Sequence, residues 1–270
     1  MSIPLRIVHV SDSHLGVDVP YADEHWDAVI AHVAATQPDL VVHTGDVSRD
    51  GAGVPADLAH SRDRLAELPV PWLAIAGNHD IGDSDDDDHP VDDARRQRWH
   101  ELFGALRWSH ERAGWQLVGI DIQTLTTPSD AADEHWAWLE AELATTRPTA
   151  LFLHRPLRPW GDAFDEPRRY VVEPHRTRLH DLVAAGDVRL VASGHVHQHL
   201  VTTHDGVAHV WAPSSWAVIP DEVQPVIAAK QTGIIELALH DDGAVDAAYV
   251  RPAGMVDAVI GETFPSPYDH

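Results

Sequence analysis

Aspartate, asparagine and histidine recur in short clusters along this chain, and each cluster offers donor atoms to a metal ion. The clusters read Ser11-Asp12-Ser13-His14, Gly45-Asp46, Gly77-Asn78-His79-Asp80, His154-Arg155-Pro156 and Gly194-His195-Val196-His197. In extended chain, residues i and i+2 face the same way, so Asp12 with His14, and His195 with His197, can each reach one ion. Asp46 offers a carboxylate with two oxygens, a common bridge between two cations. Asn78 supplies an amide oxygen and His154 another imidazole. This inventory is enough for two ions that share Asp46. Imidazole with carboxylate and no sulfur suits Mn, Fe, Zn, Co or Ni better than Mg or Ca. Two such ions about 3.5–4 Å apart can polarise a phosphoryl oxygen and hold a hydroxide nucleophile at neutral pH.

Nearly every cluster follows a short apolar run, at residues 7–10, 40–42, 72–76, 150–153 and 188–192. Runs of that length, rich in Val, Ile and Leu, read as buried strands. Polar residues just past them lie along one edge of a sheet, where open α/β folds build their sites. The fuller pattern predicts strands over 5–10, 39–43, 71–76, 115–120, 149–153 and 188–192. Helices over 23–35, 56–68, 92–103, 133–143 and 174–185 alternate with them. After His195 the pattern changes to strands at 200–203, 207–211, 233–239 and 244–250, joined by turns and read as antiparallel hairpins. Residues 251–270 show no clear period and read as a surface extension of one domain spanning 1–270. A mixed-sheet sandwich flanked by helices fits this order.

The 270 residues are enough for a sizeable core. No apolar stretch approaches the roughly 18–20 residues that a membrane span needs. The N-terminus runs almost directly into the first strand without the features of a signal peptide, so a cytoplasmic location is expected. The absence of cysteine excludes disulfides, thiolate ligands and a thiol nucleophile. A net charge of −24 repels a phosphate backbone, so extended nucleic-acid binding is not expected. A small phosphate ester remains compatible, because bound dications reverse the local field. A homodimer is left open.

Together, Asp12-x-His14, Gly45-Asp46, Gly77-Asn78-His79-Asp80, His154 and Gly194-His195-x-His197 resemble the signature of calcineurin-like metallophosphoesterases. The words Val10-Ser11-Asp12-Ser13-His14-Leu15 and Gly45-Asp46-Val47-Ser48-Arg49-Asp50-Gly51 look most like the class III cyclic-nucleotide phosphodiesterase branch. The resemblance implies a four-layer α/β/β/α sandwich with a dinuclear centre of Mn or Fe, and hydrolysis of small phosphodiesters; a phosphomonoesterase or pyrophosphatase is the alternative. It implies that Asp12, His14, Asp46 and His197 hold one ion, and Asp46, Asn78, His154 and His195 the other. It also implies that His79 serves the phosphate and the leaving oxygen, oriented by Asp80. No tyrosine follows Gly45-Asp46, so the iron–tyrosinate centre of purple acid phosphatases is not expected.

Arg155 departs from the pattern, because many cyclic-nucleotide members carry a second histidine there. It reads either as a surface arginine or as a guanidinium that pairs with phosphate oxygens. The acidic segment from Asp83 to Asp88 reads as a solvated loop, with a flexible lid as the other reading. His9 and His43, inside strands, read as structural, and His199, His204 and His209 as ordinary hairpin residues. Trp160, in the loop after His154, could stack on a base or an aromatic leaving group.

Overall fold

The computed structural model describes residues 3–159 and 169–263. In chain order the elements begin β1 (Leu5–Val10), α1 (Pro20–Thr36), β2 (Leu40–His43), α2 (Pro55–Leu65), β3 (Trp72–Ala74), α3 (Asn78–Ile81) and α4 (Asp93–Phe103). Then come β4 (Trp108–Arg112), β5 (Trp115–Gly119), α5 (Ile122–Thr126), α6 (Asp130–Leu143), β6 (Thr149–Phe152) and α7 (His175–Ala185). The remainder is all strand: β7 (Val188–Ser193), β8 (Gln198–His204), β9 (Val207–Trp211), β10 (Ala229–Lys230), β11 (Ile234–Leu239) and β12 (Val245–Val250).

Two mixed sheets result, ordered β12-β11-β1-β2-β3 and β10-β8-β9-β7-β6-β5-β4. Side chains alternate across each strand, so each sheet buries both faces. Ile7, Leu40, Val42 and Leu237 of the first sheet meet Leu117, Phe152, Leu190 and Val210 of the second in a central apolar layer. On its other face the first sheet packs Val8, Val10 and Val41 against Trp26 and Val29 of α1, Leu58 and Leu65 of α2, and Trp99 of α4. The second sheet packs Val118, Leu151 and Val191 against Leu139 and Leu143 of α6, and Leu179 and Val183 of α7. Each such side chain contributes roughly 1.5–3 kcal/mol on burial. The order of layers is therefore helix, sheet, sheet, helix.

β1, β2 and β3 run parallel, as do β5, β6, β7 and β9. Their C-terminal ends carry the polar clusters. Besides the short elements α3, α5 and β10, which the sequence pattern does not mark, four features differ from the sequence expectations. Helix α1 starts at Pro20, where a missing N–H costs nothing because the first helical turn has no acceptor for it. A polar edge strand, β4, precedes β5 through a turn at Ala113 and Gly114, which sit at φ 48° and 85°. Strand β9 forms the expected antiparallel pair with β8 but also lies parallel to β7. The expected surface tail instead returns to the core as far as Ile260. Met255, Ala258 and Ile260 are buried, Val218 pairs with Val259, and the Val256 N–H donates to His25 Nε2 at 3.3 Å. The apolar residues at 255, 258 and 260 explain the docking, because they cover the α1 side of the first sheet.

No helix among the described residues is long and apolar enough to cross a membrane.

Candidate metal centre

The ends of β1, β2, β6 and β7 bring six of the seven expected ligands into two adjacent groups. In one, Asp12, His14 and His197 offer atoms within 4.8 Å of one another; in the other, Asp46, His154 and His195 do so. His14 Nε2 and His197 Nε2 lie 3.2 Å apart, and His197 Nε2 lies 3.4 Å from Asp12 Oδ1. His154 Nε2 stands 3.2 Å from Asp46 Oδ2, 3.1 Å from His195 Nδ1 and 3.2 Å from the Asn78 Oδ1, which brings in the seventh residue. Asp46 Oδ2 also lies 3.9 Å from His14 Nε2, so one carboxylate reaches both groups.

These separations have a simple meaning. Donor atoms about 2.0–2.2 Å from one ion, at roughly 90–110° to each other, lie about 3–3.5 Å apart. The Asp12 Oδ1 is buried with no hydrogen-bond partner among the described residues. The donor set and its spacing therefore fit transition-metal ions. His154 Nδ1 donates to the Thr44 carbonyl at 2.7 Å, and His197 Nδ1 to the Ala217 carbonyl at 3.1 Å. Each bond fixes the ring so that Nε2 presents its lone pair to the centre.

The backbone at the site is unusual in the same places. Asp12, His14, Asp46, His195 and His197 all sit at positive φ, between 44° and 66°. Aspartate and histidine tolerate this region better than most residues, yet it remains uncommon and costs of order 1 kcal/mol each. Tight turns straight after strands demand it, and they aim the side chains back over the sheet edge. Close approach adds a glycine requirement. A Cβ on Gly77 would lie 2.2 Å from Asp46 Oδ1, and one on Gly194 only 1.7 Å from Ser11 Oγ.

Burial lowers the His14 and His195 imidazoles well below their ordinary value, helped by His79 beside His14 and by His154 and Arg155 beside His195. Burial pushes Asp12 and Asp46 up, but His197 beside Asp12 and His154 beside Asp46 pull both carboxyls below the usual range. Burial opposes a proton on His154, yet the Asp46 and Asp12 carboxylates raise it to about 9. Two buried carboxylates among imidazoles thus recruit positive charge, which a bound cation supplies in place of a proton.

His79 is half-buried, with its ring 4.7 Å from that of His14 and its N–H donating to Asp46 Oδ1 at 2.9 Å. Two expectations around it need correction. Asp80 does not orient the His79 ring: His79 Nδ1 donates to the Arg49 carbonyl at 2.7 Å. Asp80, fully buried, instead accepts from the N–H groups of Val47, Ser48 and Gly77 and from Ser48 Oγ, clamping the Asp46 turn to the Asn78 turn. Burial, and then Asp46, push its carboxyl up to about 6. Arg155 is neither a surface residue nor directed at solvent. It is 2% exposed and its Nη2 pairs with Asp83. A guanidinium cannot shed its charge, so burial demands a carboxylate partner. Asp83 is accordingly buried, and only residues 84–88 of the acidic segment are solvated.

His9 Nε2 lies 2.8 Å from Thr44 Oγ1 and His43 Nε2 2.9 Å from Ser13 Oγ, behind the ligands. His199 lies against Tyr249 and His204 beside Asp205, away from the centre. Trp160 lies outside the described residues. The loop after β9 escaped the sequence reading. Ser214 Oγ donates to the Asp12 carbonyl at 2.7 Å and accepts from the Trp216 and Ala217 N–H groups, while the Trp216 ring stands 4.8 Å from that of His14. Its signal was a strand followed by Pro213-Ser214-Ser215, the same strand-then-polar-turn pattern without a ligand side chain.

A further group, His180, His204 and Asp205, gathers at the surface. Arg158 Nη1 donates to His180 Nε2 at 3.3 Å, placing a fixed cation where an ion would sit.

Comparison with known proteins agrees with this architecture. The calcineurin-like phosphoesterase family model matches residues 5–199, and the chain belongs to that family. It is 30% identical over 219 residues to a probable cyclic nucleotide phosphodiesterase of Synechococcus, covering 74% of this chain and 76% of that one. It is 27% identical over 273 residues to a 3',5'-cyclic adenosine monophosphate phosphodiesterase of Pseudomonas aeruginosa, covering 95% of this chain and 92% of that one. Among solved structures, a purple acid phosphatase from yellow lupin superposes with a TM-score of 0.68 at 16% identity, covering 96% of this chain. The chain spans about half of the lupin protein (53%), and that likeness shows the fold alone. Membership makes the protein a phosphoric ester hydrolase of the metal-dependent kind.

Proposed function

We propose that this protein is a dinuclear-metal-dependent phosphodiesterase acting on small phosphodiesters, 3',5'-cyclic nucleotides among them. The observation that carries the reading is Asp46 Oδ2, placed between His154 at 3.2 Å and His14 at 3.9 Å, so that one carboxylate joins two imidazole groups. Asp12, His14, Asp46 and His197 would hold one ion, and Asp46, Asn78, His154 and His195 the other. Bound there, Mn or Fe would act as a Lewis acid toward phosphoryl oxygens and acidify a water nucleophile.

The remaining residues supply position and protons. With its Nδ1 proton committed to the Arg49 carbonyl, His79 in its doubly protonated form can donate from Nε2 to a phosphate or leaving oxygen. Asp80 keeps the Asp46 and Asn78 turns in register. The similarity to cyclic-nucleotide phosphodiesterases supports the substrate class. The charge of −24 supports a small ester over a nucleic-acid strand. The monoesterase alternative loses support, because Arg155 is paired with Asp83, which offsets part of its positive charge beside the site.

The test is turnover of 3',5'-cyclic AMP, bis(p-nitrophenyl) phosphate and p-nitrophenyl phosphate by protein reconstituted with Mn or Fe. Diester turnover that exceeds monoester turnover, and that stops on chelation, is expected. Monoester turnover about tenfold faster than that of either diester would overturn the reading.

A further inference from the structure

Arg155 follows the ligand His154 directly, and Asp83 lies five residues past the ligand Asn78, so their ion pair joins two ligand-bearing segments. Asp83 is held rigidly. Its N–H donates to the His89 carbonyl at 2.9 Å, and its Oδ1 accepts from the Ser84 N–H at 2.7 Å, leaving Oδ2 for Arg155. The turn itself depends on Gly82, which sits at φ 92° and whose Cβ would lie 2.1 Å from the His89 carbonyl oxygen. Arg155 is less fully satisfied: its Nε, buried, has no hydrogen-bond partner among the described residues. A guanidinium carries five donors, so this one retains capacity for another acceptor.

We propose that Asp83 is a specificity-determining residue: by pinning and neutralising Arg155, it keeps the centre suited to monoanionic diesters over dianionic monoesters. The inference rests on the phosphodiesterase reading above. The physical argument is one of charge. Pairing with Asp83 weakens the field of Arg155 at the centre, whereas an unpaired guanidinium in the same place acts with its full positive charge. A bound dianion gains twice what a monoanion gains from that charge, so releasing Arg155 selects for monoesters. Conversely, removing Arg155 leaves the Asp83 carboxylate unpaired between the two ligand-bearing segments, and its negative charge repels a dianion more than a monoanion. Both residues act through position and charge, and neither is assigned contact with the reacting atoms.

The experiment measures kcat/KM for bis(p-nitrophenyl) phosphate and p-nitrophenyl phosphate on the full chain, with metal content and thermal melting followed for each variant. Asp83→Asn should lower the diester-to-monoester ratio about tenfold. Arg155→Gln should raise it, Asp83→Glu should preserve it, and Asp83→Asn combined with Arg155→Gln should return it toward the original. A merely structural ion pair would lower both activities together and leave the ratio fixed in every variant, which would overturn the inference alone. A starting protein that prefers monoesters would overturn the phosphodiesterase reading and this inference with it.

Discussion

Among the described residues, two regions gather two histidines and an aspartate within one ion's reach: the sheet edge, with Asp46, His154 and His195 for one, and the surface, with His180, His204 and Asp205. By residue type they are the same. In the first, Asp46 and His154 are buried and His195 is half-buried, Asp46 and His195 sit at positive φ, and a buried Asp12 oxygen beside them has no hydrogen-bond partner among the described residues. The second is open: the His204 side chain is 43% exposed and Asp205 75%, and Arg158 already donates to His180. In a chain with 21 histidines, donor type alone selects little. Positive φ does not separate them either, since Asp205 sits at 51°; what distinguishes the sheet-edge group is its burial and the unmet carboxylate oxygen beside it.

The largest expected contrast breaks the two groups apart by substitution. His195→Ala should reduce diester kcat/KM by about 10³-fold or more, since a lost ligand disturbs the ion that polarises the phosphoryl group. His204→Ala should leave it within about twofold. Steady-state assays on both variants check this; equal losses would erase the distinction between the groups.

His79 sharpens the comparison within the sheet edge, separating ligands from a residue that serves the substrate. His79→Ala should keep metal content while kcat falls about 10²–10³-fold on poor leaving groups. The loss should be smaller on nitrophenyl esters, whose leaving group needs no proton. Metal loss in this variant would instead make His79 a ligand, in line with its place near His14 and Asp46.

The smallest effect concerns a carboxylate at the same edge that has no imidazole partner among the described residues. Asp121, at the end of β5, caps α5 by accepting from the Gln123 and Thr124 N–H groups, and burial pushes it up to about 6. Its folded value lies above the unfolded one, so folding favours the protonated acid. That contribution is fully present below about pH 4 and is lost as pH rises through about 6. Asp121→Asn keeps a good cap and removes the ionisation. Its Tm relative to the parent should therefore be higher near pH 8 than near pH 5, by the equivalent of roughly 1.4 kcal/mol. A pH-independent difference would show that Asp121 is not buried as an acid.

Much of this was legible in the chain because strand ends and ligands share one signal. Apolar runs that end in Asp-x-His or Gly-His-x-His locate both the sheet edge and its donors, so fold and site emerge together. Other features have no local signature. The β4 strand, Trp-Ser-His-Glu-Arg, is a solvated edge without the apolar alternation that marks a strand. The tail looks irregular until Met255 and Ile260 find the α1 face. Arg155 and Asp83 are 72 residues apart, and only the folded chain shows that each neutralises the other. In the sequence Asp80 reads as a partner of its neighbour His79, whereas its oxygens are used by N–H groups on another strand's turn.

The central claim is that Asp46 joins two ion sites into one centre. Metal content per chain, measured with diester turnover on the parent and on Asp46→Ala, tests it most directly. The parent should hold two transition-metal ions per chain, and Asp46→Ala fewer than about one, with activity lost. An Asp46→Ala protein that keeps both ions and full turnover would contradict the claim.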